Sequence, residues 1–340
     1  MNYFRQSVSA FQQFLLLSCF TMFAIGNIAV ANGQSQPANE QTGPEEVTLE
    51  TKDKVQLVCT YFAPNKPSSK PADEKEESDT DTTTEEDPID GKRVIPYIIL
   101  HDWERSRKDT AALATFLSSQ GNAVIIPDLR GHGGSTKVAG YDKEIDAADF
   151  KTSEIAAVMG DIETCKKFLV KKNNAGELNI DMLAVIATGK TVPLATAWVV
   201  QDWSYAPFSK GIKQGQDVKA LIMISPEKKL GPFATKRVTS SPIFSGSSAL
   251  PTIVAWGIEN ERAKNVQSIY TRLEKKRPHS KDQGATKTLY KAALRNSLDG
   301  TAIGSNPKLT KLWGFFDKTV SGKINENIDK LPWQDRSKKN

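Results

Sequence analysis

The sequence predicts an α/β protein built on a mostly parallel, doubly wound sheet of about eight strands, with helices on both faces and no large cap. Short apolar runs alternate along the chain with segments of helical periodicity, which is typical of a parallel sheet covered by helices. The apolar segments are dense enough for a single large core, and no internal repeat divides them.

The first predicted element is a β-hairpin over residues 46–62. Apolar residues alternate with polar ones on both sides of a polar run at residues 52–54, which favours a turn. This segment is too short to form a core of its own, so it belongs to the sheet that follows.

The remaining elements alternate between strand and helix. Strands are predicted over residues 94–100, 123–127, 182–187, 218–225, 252–256 and 288–293. Helices are predicted around residues 113–117, ending at Gly121, and over residues 155–169, 192–200, 263–273 and 308–320.

The N-terminus carries an export signature. An apolar stretch over residues 14–30 follows Arg5 and ends in small residues, which predicts a signal peptide over residues 1–31. An uncleaved anchor helix is the alternative. We expect an exported protein, located in the periplasm or cell envelope or secreted, with no stable membrane span once the signal is cleaved.

The predicted organisation behind the signal is a flexible N-terminus over residues 32–45, one domain over residues 46–322, and a polar C-terminal tail over residues 323–340. The domain is interrupted at residues 65–92 by an acidic insertion. Ten Asp or Glu and one Lys lie within residues 73–90, and almost no apolar side chain is present to offset the entropy of ordering. The sequence therefore predicts a disordered insertion.

The charge distribution limits the classes of partner that the protein can bind. Net charge is +5, and because the insertion is acidic the rest of the chain is more basic than this value. The basic residues are scattered without interleaved aromatic residues, which excludes a nucleic-acid partner. A basic surface that faces anionic polymers or lipid headgroups is the weaker inference that the charge allows.

The two cysteines behind the signal peptide are predicted to be buried. Cys59 and Cys165 both fall among apolar residues, so we expect two buried thiols, although an oxidising compartment would permit a disulfide.

Two motifs follow neighbouring predicted strands. Residues 100–103 read Leu-His-Asp-Trp after one strand, and residues 128–135 read Asp-Leu-Arg-Gly-His-Gly-Gly-Ser after the next. Together they resemble the α/β-hydrolase superfamily, specifically an exported, bacterial, esterase- or lipase-like member. The resemblance spans residues 46–322 apart from the insertion. It implies that Arg130 and His132 brace their loop.

The resemblance also places a catalytic Ser, acid and His after three later strands. The corresponding positions hold Gly189, Asn260 and Asp299. Glycine has no side chain to attack a carbonyl, so triad hydrolysis cannot run through this elbow. On the side of the oxyanion hole, the resemblance implies roles for Asp102, Trp103 and Lys190, with Asp102 in place of the family's Gly.

The remaining candidate sites also have a structural interpretation. His101, Trp103, Trp203 and Phe208 form a possible pocket at the carboxyl edge of the sheet, and the alternative is that Trp203 and Phe208 pack their own loop. Residues 184–191 resemble a phosphate-binding loop but lack its first Gly, so nucleotide binding is disfavoured.

A metal site was the last alternative. It would draw its ligands from the two loop motifs, and its candidates are His101, Asp102, Asp128 and His132. The bracing role of these loops is the simpler reading, and we expect neither a metal nor another cofactor.

The sequence thus indicates a hydrolase-like pseudoenzyme that binds an unknown small molecule or envelope polymer. One alternative is an active esterase with a displaced nucleophile such as Ser225, at the end of the strand over residues 218–225. A purely structural component is the other.

Overall fold

The computed structural model describes residues 43–65, 89–206, 208–209, 212–277 and 287–337. The predicted signal peptide, nearly all of the predicted flexible N-terminus and residues 66–88 of the insertion lie outside the described residues. In the part of the chain that is described, no helix combines the length and apolarity needed to cross a bilayer.

Eight strands form the main sheet, in the order β1-β2-β4-β3-β5-β6-β7-β8. Their bounds are β1 Glu45–Glu50, β2 Gln56–Phe62, β3 Pro96–Leu100, β4 Ala123–Pro127, β5 Leu183–Thr188, β6 Val218–Ile224, β7 Thr252–Gly257 and β8 Leu289–Leu294. The hairpin of β1 and β2 joins β4 in antiparallel fashion, and the other neighbours are parallel. The predicted mostly parallel sheet is confirmed.

The helices lie on both faces of this sheet. Their bounds are α1 Ala111–Ser119, α2 Thr152–Ala157, α3 Met159–Asn174, α4 Val192–Ser204, α5 Thr235–Val238, α6 Ala263–Glu274, α7 Gly300–Ser305 and α8 Thr310–Asn325. Side chains from α3, α4 and α6 fill one core layer, and side chains from α1 and α8 fill the other. Alternate residues of β3 enter opposite layers, with Ile98 in the first and Ile99 in the second, as strand geometry requires.

Three features of the predicted organisation need correction. The predicted helix over residues 155–169 is two helices that meet at Val158. The C-terminal end of the predicted insertion is ordered, because the Asp90 side chain caps a short 3₁₀ helix at Gly91–Arg93. The helix α7 follows β8 without having been predicted, since its six residues show no helical apolar period.

The predicted polar tail over residues 323–340 also needs correction. The helix α8 extends to Asn325, and the segment after it packs against the end of α3. The Trp333 indole donates to the carbonyl of Asn173, 3.1 Å away, and Arg336 is buried. This segment therefore belongs to the domain.

The region where many hydrolases carry a lid is small. Between β6 and β7, two short strands, Lys229–Leu230 and Phe233–Ala234, form a hairpin that is followed by α5. The backbone at Gly231 lies directly against Ile155 of α2. This arrangement agrees with the prediction of no large cap.

Candidate functional site

A sharp turn links β5 to α4 at the carboxyl edge of the sheet. The strand ends at Thr188, and Gly189 adopts a φ of +57°, a left-handed conformation that side chains other than glycine rarely adopt. One turn of 3₁₀ helix, Gly189–Thr191, then leads into α4. Gly189 thus lies on a sharp strand-to-helix turn, which is the backbone arrangement of a nucleophile elbow.

The space for a side chain at this elbow is already occupied. A Cβ atom added to Gly189 would overlap the carboxylate of Asp102, and both oxygens and the Cγ atom of that group are in the way. Asp102 follows β3, the strand beside β5 in the sheet. The carboxylate therefore lies where the side chain of a nucleophile would start.

The same carboxylate occupies the oxyanion position. Its Oδ1 atom accepts hydrogen bonds from the backbone N–H of Lys190 at 2.7 Å and from the backbone N–H of Trp103 at 2.8 Å. In this type of elbow, the oxyanion donors are the N–H after the nucleophile and an N–H from the loop after the neighbouring strand. Burial raises the pKa of Asp102, and the two hydrogen bonds oppose that shift. Asp102 thus takes the place of the negative oxygen that such donors stabilise during acyl transfer.

His101 is not available as a general base. Its Nε2 atom accepts the backbone N–H of Leu129 at 3.0 Å, so Nδ1 carries the proton and donates to the carbonyl of Asp102 at 2.7 Å. Burial lowers the pKa of His101 to about 4. The ring is therefore neutral and structural.

His132 is engaged in the same way. Its Nε2 atom accepts the backbone N–H of Glu104 at 3.1 Å, and its Nδ1 atom lies 3.0 Å from the carbonyl of Arg130. Burial lowers the pKa of His132 as well. The indole of Trp103 packs edge-on against the His132 ring, with centroids 4.6 Å apart. This histidine joins the loops after β3 and β4.

The other two triad positions hold side chains with local structural roles. Asn260 follows β7 and donates from Nδ2 to the carbonyl of Ser297 at 3.0 Å. Asp299 is exposed and caps α7 by accepting the backbone N–H of Ala302 at 2.8 Å. The positions of Gly189 and Asp299 lie near each other, because a Cβ on Gly300 would contact the Thr188 side chain at the end of β5. The bond to Ser297 ties Asn260 to the loop that precedes Asp299. None of the three supplies a nucleophile, a base or a buried acid.

Ser225, the alternative nucleophile, directly follows β6. It has a φ of +47°, which is unusual for a residue with a side chain, and its N–H donates to the carbonyl of Ala255 at 2.7 Å. Its hydroxyl makes no hydrogen bond within the described residues, and both histidines of that part of the chain are already engaged. His279 lies outside the described residues.

The loop after β4 is braced by ion pairs, as the resemblance implied for Arg130. The Arg130 guanidinium binds Asp161 of α3 at 2.6 Å and Asp53 of the hairpin turn at 2.5 Å. The carboxylate of Asp128 is paired with Arg107 and also accepts the backbone N–H of Gly134. These contacts hold the two motif loops in a fixed position.

Known proteins of similar structure include several esterases. Esterase 2 of Thermogutta terrifontis, phosphorylated by paraoxon, matches with a TM-score of 0.50 and 14% identity over 87% of this chain and 97% of that chain. A serine hydrolase of Xanthomonas campestris without a lid matches with a TM-score of 0.47 and 12% identity, over 84% and 95% of the two chains. An esterase of Pyrococcus furiosus matches with a TM-score of 0.47 and 14% identity, over 86% and 96%. The chain has the α/β-hydrolase fold. No family profile matches the sequence, and no curated protein matches it.

Within this α/β-hydrolase fold, several candidate residues of the alternative sites have other partners. The described residues hold no group of three or more His, Cys, Asp or Glu side chains arranged to bind a metal ion. The ring nitrogens of His101 and His132 are already hydrogen-bonded to the backbone. Lys190, the lysine of the phosphate-loop reading, is paired with Glu104 at 3.1 Å.

The possible pocket is only partly assembled. His101 and Trp103 lie together at the elbow. Trp203 lies at the opposite edge of the sheet, because α4 runs back along β5 and the Trp203 indole donates to the carbonyl of Val218, the first residue of β6. Phe208 belongs to a short strand, and its side chain lies outside the described part. Trp203 therefore packs near its own loop, as the simpler interpretation had it.

The sequence did not reveal that the Asp102 carboxylate fills the space beside Gly189. Its identity as Asp in place of Gly was visible, but the direction of its side chain was not. The replacement of the family's Gly by Asp102 is the sequence signal that could have pointed to this role.

Proposed function

We propose that this chain is an exported protein of the α/β-hydrolase fold that has lost triad hydrolysis and acts as a non-catalytic binding or envelope protein. The position of Asp102 carries the proposal. Its carboxylate overlaps the place of the missing nucleophile and takes both oxyanion donors.

The energetic consequence is severe for acyl transfer. Losing one oxyanion donor typically costs about a hundred- to a thousand-fold in rate, and here both donors are satisfied by an internal anion. A second negative oxygen cannot enter beside the first without strong repulsion. The replaced triad residues and the occupied oxyanion hole therefore both lower the rate of acyl transfer.

A cleft supports binding over a purely structural role. It has a volume of about 560 Å³ and lies between the hairpin turn at Asp53, the loop that carries Tyr141 and Ile145, and the helix α2 at Ala157. This volume is within the range of small-molecule pockets. A thermal unfolding scan with glycans, lipids and acyl esters tests binding, since a ligand that prefers the folded state raises the midpoint. We expect a shift in the wild type that is lost in Ala157→Trp, because the larger side chain fills the cleft. No shift of the wild-type midpoint with any of these compounds would favour the structural component.

The test of lost catalysis uses a fluorophosphonate probe and a p-nitrophenyl ester. We expect no labelling of the wild type and no turnover above a buffer blank. The variant with Gly189→Ser, Asn260→Asp and Asp299→His should stay unlabelled, because Asp102 still fills the elbow. Adding Asp102→Gly to those changes should permit labelling. Equal labelling with and without Asp102→Gly would contradict the role of Asp102.

A second candidate is an esterase that uses Ser225. The observation that favours it is the left-handed backbone of Ser225 beside the elbow, because strained residues concentrate at functional sites. Wild-type turnover that survives repurification and disappears in Ser225→Ala would establish this candidate and overturn the first.

Export is tested separately by mass spectrometry of the N-terminus. We expect a mature chain that begins near Asn32 and is found outside the cytoplasm. A soluble cytoplasmic product that retains residues 1–31 would contradict export.

A further inference from the structure

The outer face of α8 carries a pattern that its packing does not explain. The inner face is buried through Trp313, Phe316, Val320 and Ile324. On the opposite side, Lys311, Phe315 and Lys318 recur at spacings of four and three residues, which aligns them along one stripe. This outer stripe has one exposed aromatic residue between two exposed lysines.

The aromatic residue is supported by the edge of the sheet. The Phe315 side chain is 36% exposed, and its ring lies 6.4 Å from the ring of Tyr290 on β8. The strand β8 is the last in the order of the described sheet. Lys287 lies over the Tyr290 ring, with its ammonium 4.9 Å from the ring centre. Helix and strand edge thus share one basic and aromatic surface.

The charges of this surface are not neutralised within the described part of the chain. Lys287, Lys308, Lys311 and Lys318 are exposed, and none of them forms an ion pair there.

Two carboxylates lie near this surface, and each has another hydrogen-bond or ion-pair partner. Asp317 accepts a hydrogen bond from Asn122 at 2.8 Å, and its charge also interacts with that of Lys318. Glu326, beyond the end of α8, is paired with Lys323 at 2.7 Å. The outer stripe itself therefore carries only positive charge.

We propose that the outer face of α8, together with the edge of β8 at Tyr290, docks on an anionic phospholipid surface. The positive charges complement anionic headgroups, and Phe315 supplies the apolar contact that a surface-lying helix inserts at the headgroup boundary. A soluble anionic polymer would satisfy the lysines but would leave Phe315 without a role. The exposed phenylalanine is what favours a lipid surface over a polymer.

The dimensions suit this mode of contact. Lys311 and Lys318 are seven residues apart, or about 10 Å along the helix axis, so they straddle Phe315. A helix that lies parallel to the membrane plane brings all three side chains to it at once. This docking does not depend on whether the elbow is catalytic.

The test is co-sedimentation of the full chain with lipid vesicles, so that the N-terminal segment is common to every sample. We expect stronger partition into vesicles with about one-third phosphatidylglycerol than into pure phosphatidylcholine, and weaker partition at about 0.5 M salt than at about 0.05 M. Lys311→Glu with Lys318→Glu should weaken partition about tenfold or more. Phe315→Ser, which leaves the charge unchanged, should weaken it several-fold.

The matched control is Lys52→Glu with Lys137→Glu, which changes the net charge equally on exposed lysines outside the stripe. It should lose much less partition than the α8 pair, and unfolding midpoints establish that all variants fold. Equal losses in both pairs would overturn the docking face in favour of net charge alone. Unchanged partition in Phe315→Ser, with equally strong binding to soluble polyglutamate, would overturn the lipid surface in favour of an anionic polymer.

Discussion

Asp102 is the residue on which the proposed loss of triad hydrolysis depends. In the sequence it stands where the family has a glycine, and in the structure its carboxylate fills the volume that the glycine would leave open. The two backbone N–H groups that hold it come from Lys190 and Trp103, so the anion is stabilised by the donors that catalysis would use. The missing side chain at Gly189 and the added one at Asp102 are thus complementary changes.

This complementarity predicts a strong coupling between the two positions. Gly189→Ser alone should destabilise the fold by about 1–3 kcal/mol, because of the overlap with Asp102 and the positive φ. Adding Asp102→Gly should recover part of that loss, since the overlap disappears while the backbone strain remains. Denaturant unfolding of the wild type, both single variants and the double variant measures the coupling. Additive losses would show that the two side chains do not compete for space.

His101 predicts a dependence of stability on pH. Its folded pKa of about 4 lies below the value of about 6.5 expected in the unfolded chain. Between these values the unfolded chain binds a proton that the folded chain does not, so stability falls as the pH is lowered from about 6.5 to about 4. The loss attributable to this ring is at most about 3 kcal/mol.

The comparison with His101→Gln isolates this contribution. Glutamine can still accept from Leu129 and donate to the carbonyl of Asp102, but it does not titrate. Asp102 and Asp161, whose pKa values are raised by burial, oppose the histidine in the same pH range in both proteins. We expect a shallower decline of unfolding free energy with acid in the variant. If the unfolding free energies of the wild type and His101→Gln fell in parallel with pH, the lowered pKa of His101 would be refuted.

The segment after α8 is an element that its composition did not reveal. Arg336 enters a buried cluster in which three carboxylates meet three cations at the amino edge of the sheet. The cluster consists of Asp181, Asp202, Asp217, Lys166, Lys213 and Arg336. Burial alone would raise the pKa of Asp217, but the neighbouring cations outweigh it and hold the pKa well below its usual range.

Arg336→Gln should therefore destabilise the domain by about 3 kcal/mol or more, because it leaves buried carboxylates with too little positive charge. The matched control is Lys330→Gln, an exposed residue of the same segment, with an expected change within about 0.5 kcal/mol. Because the folded pKa of Asp217 is lowered, the stabilisation is present above about pH 4 and is lost as the pH falls further. Equal effects of the two substitutions in denaturant unfolding would show that the cluster does not anchor the segment.

At the largest scale, the described residues belong to a single compact unit. An acidic insertion interrupts this unit, and both ends of the insertion are held in place. At the first end, the N–H of Asn65 donates to the carbonyl of Ser118 at 3.0 Å. At the second, Asp90 caps the turn of Gly91–Arg93. Residues 66–88 between them lie outside the described residues, and the prediction of disorder there rests on their composition.

Limited proteolysis should cut first between residues 67 and 90 while the rest of the domain resists. Replacing residues 66–88 with a short Gly-Ser linker should change the free energy of unfolding by about 1 kcal/mol or less, because loop closure costs only about 0.6 kcal/mol per doubling of length. Protection of this segment in the free protein, or a loss of several kcal/mol on replacement, would contradict a disordered insertion.

The sequence by itself determined the order of the eight strands of the main sheet, the longer helices between them and the α/β class. Each of these depends on local periodicity or on the identity of single residues, which are fully written in the chain. The expected burial of Cys59 and Cys165 follows the same logic, and the structure has both as free, buried thiols. Only the tertiary structure decided what fills the elbow and where the C-terminal segment packs. Asp102 lies 87 positions before Gly189 and Arg336 lies 119 positions after Asp217, and side-chain direction across such separations is set by packing rather than by local pattern.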